Sequence, residues 1–468
     1  MSTSRMILSL AGRVCRNASG RLIAAETHPL LCCSSRLLLL MMMLLALIPA
    51  ARAQSYYFVD CSGANPADYS SIGAALAVAG PNSYVLVTGT CNENVSINNA
   101  WNLNLGAFYG STANINGNVS VTASNSVFLY GLNVTNASGD GFDVTSSHNV
   151  TLWTCAANGN QGSGLAVHSL SDVTVDGPGS FDNNGAGGFG TVDNSFLTVL
   201  TWGGPVDISG NHGPGVSVGG GSEFVTLGNT MIENNINVPG GARPDGFGIQ
   251  AVSASKIQVG NCFGGNQIAG NESGGIDVRE NSFLSIWICG AVGQNIIKNN
   301  GPVGIEVGLG SEVALYTNVV ISGHTGPGVE LYAQGQLYMY GPNLISQNGS
   351  AGDPRTAGIV VDGNSEAFLR GGTISANTGP GILALVNSSV DSVGATFSAN
   401  TGGIATCDSS AYMVSDLLPA AGNPSSGITC RMPHHLGNRR DVSSHPVAPD
   451  ITAQKNRTAL YKKFASRK

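Results

Sequence analysis

The stretch Ser322 to Leu331, S-G-H-T-G-P-G-V-E-L, decides the fold. Variants return at Gly210 to Val218 (G-N-H-G-P-G-V-S-V), Asn299 to Val307 (N-N-G-P-V-G-I-E-V) and Ala376 to Ala384 (A-N-T-G-P-G-I-L-A). Each reads as a polar turn, a Gly, and a short strand in which apolar and variable residues alternate. Working outward from these copies, a Gly just before a Φ-x-Φ strand recurs at Gly141, Gly164, Gly188, Gly215, Gly248, Gly275, Gly304, Gly328, Gly358, Gly381 and Gly403. A second strand follows in each copy, as in Ser195 to Val199, Ser311 to Leu315 and Ser365 to Leu369, and Asn-rich turns separate the copies.

A unit with two or three strands of about 3 to 5 residues and no helix cannot bury its apolar face alone, so it must stack on its neighbours. Stacking in register builds long parallel sheets with a rise of about 4.8 Å per copy. Gly and Asn are expected at the corners because both tolerate left-handed backbone, and stacked Asn amides can bond to one another and to the turn. Leucine-rich repeats are excluded by the missing Leu/Asn consensus, and propellers by strands too short for blades. The expected fold is all-β, a parallel β-helix of about 11 to 13 coils.

The opening D-Y-S-S-I-G-A-A-L-A (Asp68 to Ala77), then V-L-V-T-G-T-C-N-E-N-V-S-I (Val85 to Ile97), then the N-x-G-x-G-Φ-x-Φ coils resemble the pectate-lyase-like superfamily of right-handed parallel β-helices. The resemblance covers about Tyr56 to Leu418 and implies an N-terminal capping helix within residues 54–84, a solenoid over 85–418 and a closing segment over 419–430. The residues also carry a helix signal. Asp68 to Ser71 supply capping side chains, and Ile72, Ala75, Leu76 and Ala79 fall on one face. The superfamily spans lyases, hydrolases, esterases, epimerases and non-catalytic surface proteins, so the resemblance fixes no activity.

Upstream, Leu37 to Ile48 is an unbroken apolar run preceded by Arg36 and followed by Ala51-Arg52-Ala53. This reads as a signal peptide over residues 1–53 with a long charged leader, and predicts a secreted or cell-surface protein. The run is shorter than the ~20 residues a membrane span needs, so no transmembrane span is expected in the mature chain. Charge is uneven. From Gln54 to Cys430 there are 6 Lys+Arg against 25 Asp+Glu, a net of −19, whereas Arg431 to Lys468 holds 9 basic and 2 acidic residues, a net of +7. The body is therefore a poor partner for nucleic acid, and residues 431–468 read as a basic disordered tail. A monomer is expected.

Seven cysteines follow residue 53, and pairing is expected in an exported protein. Cys262 lies seven residues after Ser255 and Cys289 seven after Ser282, so stacking places them about 4.8 Å apart and predicts a disulfide. Cys61 with Cys91 would tie the N-terminal segment to the first coil, and Cys407 with Cys430 would close the last. Cys155 is left over.

Columns read down the solenoid locate candidate chemistry. The x residues of consecutive strands place Asp277, Glu306 and Glu330 in an outward carboxylate ladder, where like charges should raise one pKa or draw in a cation. Arg279 shares Asp277's strand face, with Tyr332 and Asp362 at corresponding positions in later coils. A second outward column holds Trp287, Tyr316, Tyr340 and Arg370, with Tyr338 and Phe368 beside it, as a sugar-binding groove would. The catalytic candidates are thus Asp277, Arg279, Glu306 and Glu330, and the substrate-binding candidates Trp287, Tyr316, Tyr332, Tyr340 and Arg370. They could supply the acid and base of a glycoside hydrolase, or Ca²⁺ ligands and an Arg279 base for a polysaccharide lyase. Against catalysis, the N-T-D, D-D, H-G, R-x-K set of polygalacturonases, the G-R-P-W of pectin methylesterases and the D-P-H-R of alginate epimerases are missing. Two readings stand: a protein that binds, or also processes, extracellular polysaccharide, and a non-catalytic surface or adhesive scaffold. His212 and His324 read as corner residues.

Overall fold

The computed structural model describes residues 54–415 and Cys430, leaving out 239, 241–244, 290–292 and 354. The expected signal peptide, the closing segment apart from Cys430, and the basic tail lie outside the described residues. Each copy of the repeat forms one turn of a right-handed parallel solenoid, and every strand pairing along it is parallel. The Gly-Φ-x-Φ strands make a sheet of 13 strands running from Val95–Asn98 to Ala405–Cys407. The other faces share 27 strands and extend from Ser55–Asp60 to Tyr412–Ser415, giving about 15 turns. The repeat signature finds fewer because the first turns, such as Val95–Asn98 and Val119–Thr122, lack the Gly-Φ-x-Φ form.

The core is a set of vertical apolar columns. Ile276, Ile305, Val329, Ile359 and Ile382 stack in register, and each is fully buried. Burial of one such side chain stabilises by about 1.5–3 kcal/mol, so stability accumulates turn by turn.

One corner carries a ladder of buried Asn side chains: Asn160, Asn184, Asn211, Asn235, Asn271, Asn300, Asn348 and Asn377. Asn271 shows its logic. Its Oδ1 accepts from Asn235 Nδ2 at 2.8 Å and Asn235 N at 3.1 Å, while its Nδ2 donates to Ile232 O at 3.0 Å and Asn300 Oδ1 at 2.8 Å. Each amide therefore satisfies buried backbone groups that water cannot reach. A parallel Ser ladder does the same at a second corner, where Ser124 N donates to Ser147 Oγ, Ser147 N to Ser171 Oγ and Ser171 N to Ser195 Oγ.

The repeat Gly is explained differently from expectation. Gly275 and its equivalents up to Gly381 are absent from the positive-φ backbone, which instead falls on residues just before the ladder, such as Asn183, Asn234 and Asn299. What the Gly supplies is room. A Cβ on Gly328 would lie 2.7 Å from Asn348 Nδ2 and 2.9 Å from Gly358 O, and one on Gly248 2.8 Å from Asn271 Nδ2. In the last copy the frame slips by one residue, since Leu383 pairs with Thr406 and Ile404 takes the Gly position.

The expected capping helix is reduced to one turn, Ile72–Leu76, N-capped by Ser71 and met at its start by the Glu93 carboxylate, which accepts from Ile72 N at 2.7 Å and Gly73 N at 3.0 Å. Most of residues 54–60 is instead the strand Ser55–Asp60, paired with Ser83–Cys91. Its alternating side chains place Val59 in the core. All three expected disulfides are present, with Cα separations of 5.0 Å for Cys61–Cys91, 4.7 Å for Cys262–Cys289 and 4.7 Å for Cys407–Cys430. Cys155 is buried and unpaired.

His324 holds a rung of the ladder: its backbone N–H donates to Asn348 Oδ1 at 3.3 Å and its Nε2 lies 3.2 Å from Ile297 O. His212, by contrast, follows the ladder residue Asn211 and stands outside it. Asn271→Ala strips four hydrogen bonds from the buried corner and should cost about 2–4 kcal/mol. His324→Asn restores the amide and should add about 1 kcal/mol at neutral pH. Urea unfolding midpoints test both, and unchanged midpoints would show that the ladder is dispensable.

Candidate functional site

The outward column of the 13-stranded sheet places Gln250, Asp277, Glu306 and Glu330 one above the next. Arg279, Tyr332 and Asp362 each follow the last residue of their strands, as expected. The equivalent position between Arg279 and Tyr332 is Gly308, and the Tyr332 ring lies over it, where a Cβ would collide. This lets the Tyr332 hydroxyl reach back and donate to Glu306.

Asp277 departs from expectation, since its side chain is 0% exposed rather than solvent-facing. Gln250 Nε2 donates to its Oδ2 at 3.1 Å and Arg279 Nη2 pairs with the same oxygen at 2.7 Å, together covering it. Glu330 is held by Arg355, whose Nη2 lies 2.7 Å from Glu330 Oε1 and 3.0 Å from Asp362 Oδ2. Gln250 and Arg355 were not singled out by sequence. Gln250 is legible as the rung before Asp277, whereas Arg355 comes from an insertion outside the repeat.

Burial pushes the carboxyls up. Glu306 rises to about 7, first through burial and then through the charges of Asp277 and Glu330, with Arg279 and the Tyr332 hydrogen bond opposing. Asp277 is raised by burial against the pull of Arg279 and Gln250, and Glu330 by burial against that of Arg355. The Tyr332 hydroxyl is raised by burial and by the neighbouring Glu306 and Asp277. The ladder carboxyls are thus raised mainly by burial, with like charge adding to it at Glu306.

Calcium fits this group poorly. Ca²⁺ takes six to eight oxygen ligands, while guanidinium groups already occupy Asp277, Glu330 and Asp362. The one cluster of metal-ligating types among the described residues, Cys61, Cys91 and Glu93, contains a disulfide.

The aromatic column keeps its register but not its exposure. Trp287, Tyr316, Tyr340 and Arg370 stack as expected. Trp287 is 3% exposed, lies over Gly260 and packs with Leu200, Val225 and Leu227, so it is not an open sugar contact. Tyr316 stacks on Tyr340 at 5.7 Å and Tyr338 on Phe368 at 5.0 Å. Arg370 pairs with Asp391 at 2.6 Å.

This architecture is a right-handed parallel β-helix. The right-handed beta helix region family matches residues 285–416. Among solved structures the chain is similar to pectate lyase Pel9A, at 16% identity and TM-score 0.39 over 57% of this chain and 78% of that one. It is similar to the A-module of mannuronan C-5 epimerase AlgE4 from Azotobacter vinelandii, at 15% identity and TM-score 0.42 over 74% and 94%. It is also similar to the receptor binding domain of the Siphovirus 9NA tailspike, at 11% identity and TM-score 0.42 over 78% and 77%. No curated protein sequence matches. No described helix is long and apolar enough to cross a membrane.

Glu306 and His324 bias stability in opposite senses. Glu306 moves from 4.5 to about 7 on folding, so its contribution is full below pH 4.5 and is lost as pH rises to 7. His324 is lowered from 6.5 to about 4 by burial, so its contribution is full above pH 6.5 and is lost as pH falls to 4. Each effect spans about 3 kcal/mol at most. Relative to wild type, Glu306→Gln should tilt unfolding free energy upward between pH 4.5 and 6.5, and His324→Asn should tilt it downward. Urea titrations across that window decide, and three parallel profiles would refute the assignment.

Proposed function

We propose that this chain is a secreted β-helix protein that binds extracellular polysaccharide and processes it by proton transfer at Glu306. One observation carries the processing: Glu306 sits between Asp277–Arg279 and Glu330–Arg355 under the Tyr332 hydroxyl, with its proton retained near neutral pH. A group poised there can give or take a proton at a glycosidic oxygen or a sugar carbon. Glu330, in register on the next turn and paired with Arg355, is the second carboxylate a glycoside hydrolase requires. Arg279 is spoken for by Asp277 and acts as a positioning residue, which favours hydrolysis over an Arg279-based lyase reaction. The three disulfides and the apolar run at Leu37 to Ile48 support an extracellular location.

A second reading, a non-catalytic surface or adhesive scaffold, is favoured by the way the outward groups satisfy one another: Tyr316 with Tyr340, Tyr338 with Phe368, Arg370 with Asp391. Incubation with neutral and acidic polysaccharides, read by new reducing ends and by absorbance of unsaturated products, separates them. Glu306→Gln should lower hydrolysis by about 10²–10⁴-fold at unchanged binding. Reducing ends that form equally fast with the variant, or with no polysaccharide at all, would leave the scaffold.

A further inference from the structure

The first five turns carry a surface that the Glu306 site does not use. Two neighbouring outward columns run down the sheet begun by Ser55–Asp60. One is Tyr56, Tyr84, Asn104, Phe128, Thr151, and the other is Phe58, Leu86, Gly106, Tyr130, Trp153. Of these ten positions six are aromatic and none is ionisable in the physiological range.

The rings form two stacked groups along these columns. Tyr56 stacks on Tyr84 at 5.0 Å with 17° between planes. Phe128 contacts Tyr130 at 5.6 Å and Trp153 at 6.1 Å, both near 30°. The two groups lie on the same columns, with Asn104 and Gly106 on the turn between them. Gly106 makes room, since a Cβ there would strike the Tyr130 ring at 2.5 Å. Tyr56 is 51% exposed and Phe58 40% exposed, with Phe108 packed edge-on against Phe58. Patches of this kind mark binding surfaces.

Charge and spacing name the occupant. Between Gln54 and Ala242 the chain has no Lys or Arg, so nothing on this half attracts carboxylate or sulfate, and the −19 of the body repels them. Flat rings edged by tyrosine hydroxyls and Asn104 suit partners that are apolar on one side and hydroxylated at the rim. The rise of about 4.8 Å per turn is close to the length of one pyranose unit.

We infer that this platform, centred on Tyr84, Phe128, Tyr130 and Trp153, is a binding site for an uncharged polysaccharide lying along the solenoid axis. The inference shares the polysaccharide partner with the reading above but not its site or its chemistry.

Affinity electrophoresis of the full chain in gels containing hydroxyethyl cellulose, galactomannan, polygalacturonate or alginate tests it. Wild type should be retarded by at least one uncharged polymer and by neither polyanion. Tyr84→Thr and Trp153→Thr, at outward strand positions where Thr preserves strand propensity, should each weaken retardation at least tenfold with unchanged thermal midpoints. Glu306→Gln should leave it intact. Retardation by the polyanions alone, by no polymer, or equally in a folded Tyr84→Thr variant overturns the inference. A concentration-dependent dimer dispersed by Tyr84→Thr would also overturn it, assigning the face to a second copy. Retardation that depends on Tyr84 without any cleavage would retain the platform while removing the processing role of Glu306.

Discussion

The corner amide is the constraint on which the rest of the solenoid depends. At each turn the chain must bend inside a stack whose strands are covered above and below, so the bend's own N–H and C=O groups are cut off from water. An Asn side chain answers both at once, accepting from the rung before it and donating to the rung after it and to a carbonyl behind. An orphaned group in such a place costs about 1–3 kcal/mol, and the cost would recur every turn. The amide in turn fills the space beside the strand start of the turn before it, Asn300 against Gly275 and Asn377 against Gly358, so that position has no room for a Cβ. Asn300 and Gly304, Asn271 and Gly275, and Asn377 and Gly381 all keep the same four-residue spacing. The repeat signature is the trace of that one packing requirement.

The same corner is where the chain tolerates extra length. Asn348 and Gly358 are ten residues apart and Asn235 and Gly248 thirteen, against the usual four. In both cases the ladder and the strand after it continue in register. The insertion after Asn348 delivers Arg355 to Glu330 and Asp362. The outward face of the next strands turns apolar, with Val360 and Leu383 buried. The acidic stretch is thus closed at one end by a loop and begins at the other with Gln250, leaving Glu306 as the carboxyl without a cation bonded to it.

The parts of this architecture that could be read from sequence are those set by register. Once strands stack, residues at equal offsets are neighbours, which is why the Cys262–Cys289 disulfide, the Asp277–Glu306–Glu330 column and the Trp287–Tyr316–Tyr340–Arg370 column fall as expected. Register does not report what covers an outward residue. Asp277 is buried by the long side chains of Gln250 and Arg279, and Trp287 by residues from turns two and three copies away. The helix was overread because its apolar spacing is real but only one turn of it, Ile72–Leu76, finds a surface to pack on before the chain must enter Ser83–Cys91. The aromatic platform was legible in principle, since Tyr84, Phe128, Tyr130 and Trp153 follow from the same offsets. It goes unmarked because, of these turns, only that of Trp153 carries the repeat Gly, at Gly141.

The cations of this body are largely committed to its own carboxylates. Arg279, Arg355 and Arg370 each lie within 3.0 Å of a carboxylate, and Lys256 lies 3.2 Å from Glu223. Lys298 is the one described lysine or arginine outside these pairs. A polyanion laid along this body would have to displace internal ion pairs and expose buried carboxylates such as Asp277, whose isolation in the fold costs several kcal/mol. An uncharged chain meets no such barrier and can use the rings and the half-buried carboxyls as they stand. The acidic excess that would oppose a charged partner thus adds only a second contribution at Glu306, whose carboxyl is raised first by burial.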